Sequence, residues 1–303
     1  MTAACFPADA RRLATALLFA MLASLWAVQS AWGDEPERIV SLGGAVTATV
    51  AALGAADRLV AVDLTSKPLP AGTGLPNVGY YRQLSAEPII AMGPDLILAA
   101  DGAGPDTVLK QIRSTGVSVV HVPETHSAEG VVEKVRVIAK ALDREEQGAT
   151  LSRKIETDFA RLDGALKGID RPRVMLLLSA GRGAPMAAGR HTAGDAIVAM
   201  AGGENVIAAY DGYKPVSPEA IVEAAPDFII LPSHVAEAMG GTKGLEALPG
   251  FAETPAVKNG HVLTMDSLLL LGFGPRTPEA AAKLAALLHP GRDIPQLSPL
   301  MEH

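Results

Sequence analysis

The sequence predicts an α/β protein of two homologous lobes, each with a parallel central sheet, joined by a long rigid helix. Three observations lead there. Short apolar strands alternate with helical segments, the second half repeats residues of the first in register, and a charged amphipathic stretch separates the halves. Alternation of this kind lays helices across the faces of parallel sheets.

The chain has 303 residues, 49% hydrophobic and 19% charged, with a mean hydropathy of +0.24, which excludes a disordered polyampholyte. Its first feature is an apolar run, Leu13 to Val28, behind Arg11 and Arg12. At about sixteen residues it is short for a membrane span and suits the core of an export signal. Ala31 and Gly33 hold the small-residue positions of a cleavage site, so residues 1–33 read as a signal peptide and Asp34 as the mature start. An uncleaved anchor is the other reading of the same run. Arg11-Arg12 leaves the general and twin-arginine export routes both open. Cleavage would leave 24 basic against 32 acidic side chains, a net of −8, which disfavours nucleic acid. It would also remove the single cysteine, Cys5, and both tryptophans, Trp26 and Trp32. A mature chain without a thiol has no disulfide, cysteine-bound zinc, iron–sulfur cluster or thiolate-ligated haem.

The first lobe is expected over residues 34–143. Arg38–Leu42, Leu59–Val62, Leu96–Ala99 and Val117–Val122 are short, β-branched-rich and bounded by Gly, Pro or Asp, as buried parallel strands are. Helical spacing falls on Thr47–Leu53 and Ser85–Met92, with Ser85 as N-cap. Residues 144–170 form the interlobe helix: Leu151, Ile155, Phe159, Leu162 and Leu166 share one face, and glycine is absent from Ala149 to Asp163. A stiff strut predicts limited lobe motion, although a helix packed on one lobe would show the same pattern. The second lobe, 171–303, restarts with the strand Arg173–Leu178.

The repeat is plainest where Tyr81–Ile97 lines up without a gap against Tyr213–Ile229. Tyr81/Tyr213, Ser85/Ser217, Glu87/Glu219, Pro94-Asp95/Pro226-Asp227 and Ile97/Ile229 recur. Upstream, Ala52–Ala61 resembles Ala199–Ala208.

Ligands of parallel sheets sit beyond the C-terminal strand ends. Four segments qualify: the Gly43-Gly44 turn, Gly79–Arg82, the loop Gly181–Thr192, and Tyr210–Lys214. All four tyrosines lie in the second and fourth of these. In an extended stretch Tyr80 and Arg82 point the same way, and a neighbouring guanidinium favours phenolate, a hard donor for ferric iron. Surface aromatics with a stacked arginine fit the spacing equally well. His191 offers an imidazole to iron, or is a solvent-facing loop residue. Arg190 and Lys214 suit carboxylate groups of a ligand.

Gly79-Tyr80-Tyr81-Arg82-Gln83-Leu84-Ser85-Ala86-Glu87, Pro185–Arg190, Tyr213-Lys214-Pro215 and Gly272–Glu279 together resemble the HmuT family, the haem-binding periplasmic proteins of haemin ABC importers. The resemblance runs from Glu37 to Pro290 and implies the class III periplasmic binding protein fold. It implies one ferric haem b as transported ligand, Tyr80 as axial ligand and Arg82 in support. Tyr81 stands where such proteins carry an apolar residue, so it stacks on the porphyrin or competes for iron. His191 would be a second ligand or hold a stacked second haem; Arg190, Tyr213 and Lys214 would complete the site. Glu87 and Glu219, one per lobe, would dock on the inner-membrane permease and its ATPase complex. A monomer receiving haem through an outer-membrane receptor system completes the expectation. A ferric-siderophore or cobalamin carrier shares this fold. A secreted hydrolase or lyase finds no nucleophile elbow, phosphate loop or histidine cluster in the sequence.

Overall fold

The period-two apolar pattern of the strands sorts their side chains onto two faces, and this sorting organises the computed structural model, which describes residues 36–181 and 183–297. The signal sequence, its cleavage site, Cys5, Trp26 and Trp32 lie outside the described residues. From Glu37 onward the chain forms one compact unit.

In chain order the first lobe has β1 (Ile39–Leu42), α1 (Gly44–Ala52), β2 (Leu59–Val62), α2 (Ala86–Ile90), β3 (Leu96–Ala100), α3 (Asp106–Arg113), β4 (Ser118–Val122) and α4 (Ala128–Ala141). Helix α5 (Glu145–Ala165) follows. The second lobe has β5 (Arg173–Ser179), β6 (Met186–Ala188), α6 (Ala193–Met200), β7 (Glu204–Asn205), β8 (Tyr213–Pro215), α7 (Pro218–Ala224), β9 (Phe228–Pro232), α8 (Ser233–Ala238), α9 (Pro255–Lys258), β10 (Val262–Met265), α10 (Ser267–Leu271) and α11 (Thr277–Leu288).

The first sheet is wholly parallel, in the order β2-β1-β3-β4. The second repeats that order as β7-β5-β9-β10, also parallel, and then departs from it. Seven-residue β5 holds β7 at its N-terminal end and antiparallel β6 at its C-terminal end, and β6 pairs antiparallel with β8. The stretch expected as a single loop, Gly181–Thr192, therefore contains a strand, and Tyr213–Lys214 lies on an edge strand. The expectation missed β6 because three residues carry too little periodicity to register.

The repeated Pro-Asp pairs lock equivalent strand starts. Asp95 accepts the backbone N–H of Glu37 and Arg38, and Asp227 accepts that of Arg173. Arg38 and Arg173 return the contact by donating to carbonyls just before each aspartate, at Gly93 and Ala224.

Each sheet turns one face to a common core and the other to a private one. Ile39, Leu96, Leu98, Val174, Leu176, Phe228 and Ile230 belong to the common core. Alternate residues go elsewhere: Val40, Ile97 and Ala99 to a core confined to the first lobe, and Met175, Leu177, Ile229 and Leu231 to one confined to the second. Helix α5, about 31 Å long by its rise per residue, lays Leu151, Ile155, Phe159 and Leu162 into the common core. It packs on α4 and α11, and so serves both lobes at once.

Ile155→Ala is expected to cost about 2–5 kcal/mol, as a buried large-to-small change does. Because the core is shared, both lobes should unfold in one transition, with far-ultraviolet circular dichroism and tyrosine fluorescence coinciding in urea.

Candidate functional site

A buried carboxylate builds the candidate ligand edge of the first lobe. Asp63, directly after β2, is fully buried, and a charge there must be met by donors. Its Oδ1 accepts Gly43 N–H at 3.0 Å and Ser66 Oγ–H at 2.6 Å; its Oδ2 accepts Thr65 N–H at 3.0 Å and Thr65 Oγ1–H at 2.7 Å. Gly44 N–H donates to Thr65 Oγ1. The Gly43-Gly44 turn, a candidate ligand loop by sequence, thus spends its N–H groups inside the fold. From this anchor Leu64 N–H donates to Gly79 O at 2.8 Å and fixes the segment leading to the tyrosines. Gly79 adopts φ +100°, which an L side chain resists.

After Gly79 the chain turns instead of extending. Gln83 N–H donates to Tyr80 O, Gly104 N–H to Tyr81 O and Leu84 N–H to Gly104 O. The turn replaces the extended stretch assumed for Tyr80 and Arg82, although the charge of Arg82 is still felt between them. Arg82 places its guanidinium carbon 4.8 Å from the Tyr81 ring centroid, and Tyr81 meets Tyr80 edge-on at 5.2 Å. Across the turn lies Gly102, φ +78°, where an added Cβ would stand 2.5 Å from Arg82 Nη1. Burial pushes the Tyr81 phenol up to about 12, Glu124 adds to the rise, and the Arg82 cation opposes it only in part. Arg82 therefore leaves Tyr81 a neutral phenol. Tyr80 is 38% exposed, and its hydroxyl meets no hydrogen-bond partner among the described residues.

In the second lobe the repeated tyrosine is again turned inward. Tyr213 OH accepts Gly194 N–H at the start of α6, and burial raises its phenol. Tyr210 OH donates to Lys214 O, and Lys214 Nζ lies 5.3 Å from the Tyr210 ring. Gly189 permits this packing, since a Cβ there would lie 2.4 Å from Tyr210 O. Arg190 Nε–H donates to Asp211 Oδ1, the same oxygen that stands 3.3 Å from His191 Nδ1. His191 holds φ +60°, its N–H donates to Asp195, and its side chain is 80% exposed.

The two tyrosines of the repeat, Tyr81 and Tyr213, are thus half-buried packing residues, while Tyr80 stands opposite Gly212 in the alignment and has no counterpart. An exposed oxygen donor at the C-terminal edge of a parallel sheet suits capture of a small ligand. The model of the periplasmic binding protein family matches residues 39–269. The chain belongs to the periplasmic binding protein family. Among solved structures it is similar to the periplasmic heme-binding protein RhuT from Roseiflexus sp. RS-1, with 37% identity, a TM-score of 0.80 and coverage of 83% of this chain and 97% of that one. It is similar also to the periplasmic heme-binding protein BhuT in complex with two hemes, with 38% identity, a TM-score of 0.78 and coverage of 83% and 99%. A curated relative, the cobalamin-binding protein of Halobacterium salinarum strain R1, is 28% identical over 265 residues, covering 84% of this chain and 70% of its own. As a periplasmic binding protein the chain is a substrate-binding component of the ABC-importer type, not an enzyme. No helix among the described residues is long and apolar enough to cross a membrane.

Glu87 and Glu219 are exposed on the first turns of α2 and α7. The carboxyl of Glu219 is held below its ordinary range by its own backbone N–H and by the Ser217 hydroxyl. Ser217 caps α7 by accepting Ala220 N–H, whereas Ser85 stands at the matching position of α2 without making the expected side-chain cap. A cavity of 490 Å³ lies beside Ser217, walled by Pro185, Pro215, Pro218 and Pro249, away from the tyrosine turn.

Sequence reasoning missed Asp63, Gly102 and Glu124. Asp63-Leu-Thr-Ser66 carried a local signal, an acidic residue ahead of hydroxyl residues at a strand end. Glu124 carried none, since its neighbours are assembled by the fold.

Tyr81 should stabilise the fold below pH ~10, the ordinary tyrosine value, and lose that contribution as pH rises through about 12. In an ultraviolet difference titration of the folded protein, Tyr81→Phe should remove an ionisation step near pH 12 and leave earlier steps in place.

Proposed function

We propose that this protein captures ferric haem b through the Tyr80 phenolate and delivers it to an inner-membrane ABC permease and its ATPase. The observation that carries the reading is Tyr80 itself, an exposed phenol edge-on to Tyr81, whose ring in turn carries the Arg82 guanidinium. Phenolate oxygen is a hard anionic donor that ligates ferric haem. Arg82 acts by fixing Tyr81 beside Tyr80, so that Tyr81 offers a ring edge and a neutral hydroxyl to the porphyrin. Arg190 and Lys214 on the second lobe suit the propionates, and exposed His191 suits a second ligand or a second haem. Glu87 and Glu219 present one carboxylate per lobe to the permease. Residues 1–33 direct export and are removed, and the carrier works as a monomer in the periplasm, supplied by an outer-membrane haem receptor system.

The likeness to two haem-binding proteins at 37% and 38% identity supports haem over a corrin. The cobalamin reading draws on the 28% identical relative. The two separate on one titration. Haemin added to the purified protein should give a phenolate-to-iron visible spectrum, and Tyr80→Phe should weaken uptake by about tenfold or more and change that spectrum. Cyanocobalamin should leave the protein unaltered. Tight cyanocobalamin binding without haemin uptake overturns the proposal, an unchanged spectrum in Tyr80→Phe moves the ligand to Tyr81 or His191, and the end point distinguishes one haem from two.

A further inference from the structure

A buried charge sits where the two lobes meet. Lys134 on α4 is 2% exposed, and burying an ammonium is costly unless it is paired. Its Nζ donates to the backbone carbonyl of Phe273 at 2.9 Å, reaching from the last helix of the first lobe to the segment between α10 and α11. The counter-ion is Glu124, with Oε1 at 3.5 Å and a side chain 19% exposed, in the loop beyond the C-terminal end of β4.

The far end of this contact is unusual in its own right. Phe273 is 1% exposed and holds φ +49°, a left-handed conformation that a bulky residue keeps only when its surroundings impose it. First-lobe groups grip both its backbone and its ring, since His126, two residues after Glu124, meets the ring edge-on at 4.9 Å. Beside it Gly44 keeps the lobes in close approach, since a Cβ there would lie 2.7 Å from Leu268 Cδ1. Glu124 also faces the ligand turn, where its charge acts on Tyr81 and on Arg82. One carboxylate thus pairs with the cation that crosses the lobe boundary and acts electrostatically on the tyrosine turn.

We propose that Lys134 is a positioning residue for the ligand site: through Glu124 on one side and the Phe273 carbonyl on the other, it holds the ligand edges of the two lobes at a set separation before any ligand arrives. The arrangement makes the empty carrier pre-formed, which lowers the ordering cost of capture. It acts through Glu124 and Phe273, and Lys134 itself touches no ligand.

Spin labels at Lys110→Cys and Glu223→Cys, one exposed helical position on each lobe, in a chain with Cys5→Ser, report interlobe distances by double electron–electron resonance. Lys134→Met is expected to broaden the distribution in the ligand-free protein, and saturating haemin to narrow it again. If the competent arrangement falls to about a tenth of the population, haemin affinity falls about tenfold. The change strands Glu124 without its counter-ion, so Lys134→Met/Glu124→Gln should regain melting temperature while keeping the broad distribution, and it carries the test if the single variant does not fold. A distance distribution and haemin affinity equal to the parent's overturn the inference, whatever the melting temperature does. The affinity measurement rests on the haem reading; if the unaltered protein takes up no haemin, that reading falls and the distance measurement still decides the role of Lys134.

Discussion

Two duplicated sheets that must each bury two apolar faces constrain everything else in this molecule. One face of each finds cover within its own lobe; the other is covered by α4, α5, α6 and α11 in a core that both lobes share. Neither lobe can move far from the other without exposing that core, and the apolar term is the largest single force available to oppose it. Lys134 adds a directional bond to what the apolar core holds without direction.

The ligand edge follows a different logic, in which polar groups are used to hold backbone. Asp63 gathers four donors in the interior, and the β2–Gly79 connection hangs from that cluster. Buried hydrogen-bonded networks of this sort rigidify when fully satisfied. Their consequence here is a turn that sets Tyr80 outward and Tyr81 against Arg82. Two adjacent residues of one type are thereby given different chemistry, one an exposed donor and the other a phenol held protonated by burial.

Duplication clarifies which residues belong to architecture. Asp95 and Asp227 close equivalent strand starts, and Tyr81 and Tyr213, one in a turn and one on an edge strand, both pack half-buried. Glu87 and Glu219 recur as exposed carboxylates on the first turns of equivalent helices. Tyr80, opposite Gly212, has no such counterpart, and asymmetry is where a ligand would leave its mark on a duplicated frame.

Much of this was legible in the residues alone. Strand positions, the apolar face of α5 and the in-register repeat are local or periodic properties, written by side-chain polarity at fixed spacing. The tyrosine-bearing segments were legible as well, because aromatic residues are so few. Four outcomes belonged to the tertiary structure: the turn at Tyr80–Gln83, the antiparallel pair β6 and β8, the buried Asp63 cluster, and the Glu124–Lys134–Phe273 contact. Each joins groups distant along the chain, or depends on a backbone direction set by such groups. Polarity patterns specify which face a residue prefers; only the packed fold specifies which neighbour waits there, because that is decided by how far apart the sheets must stand once both have buried their apolar faces.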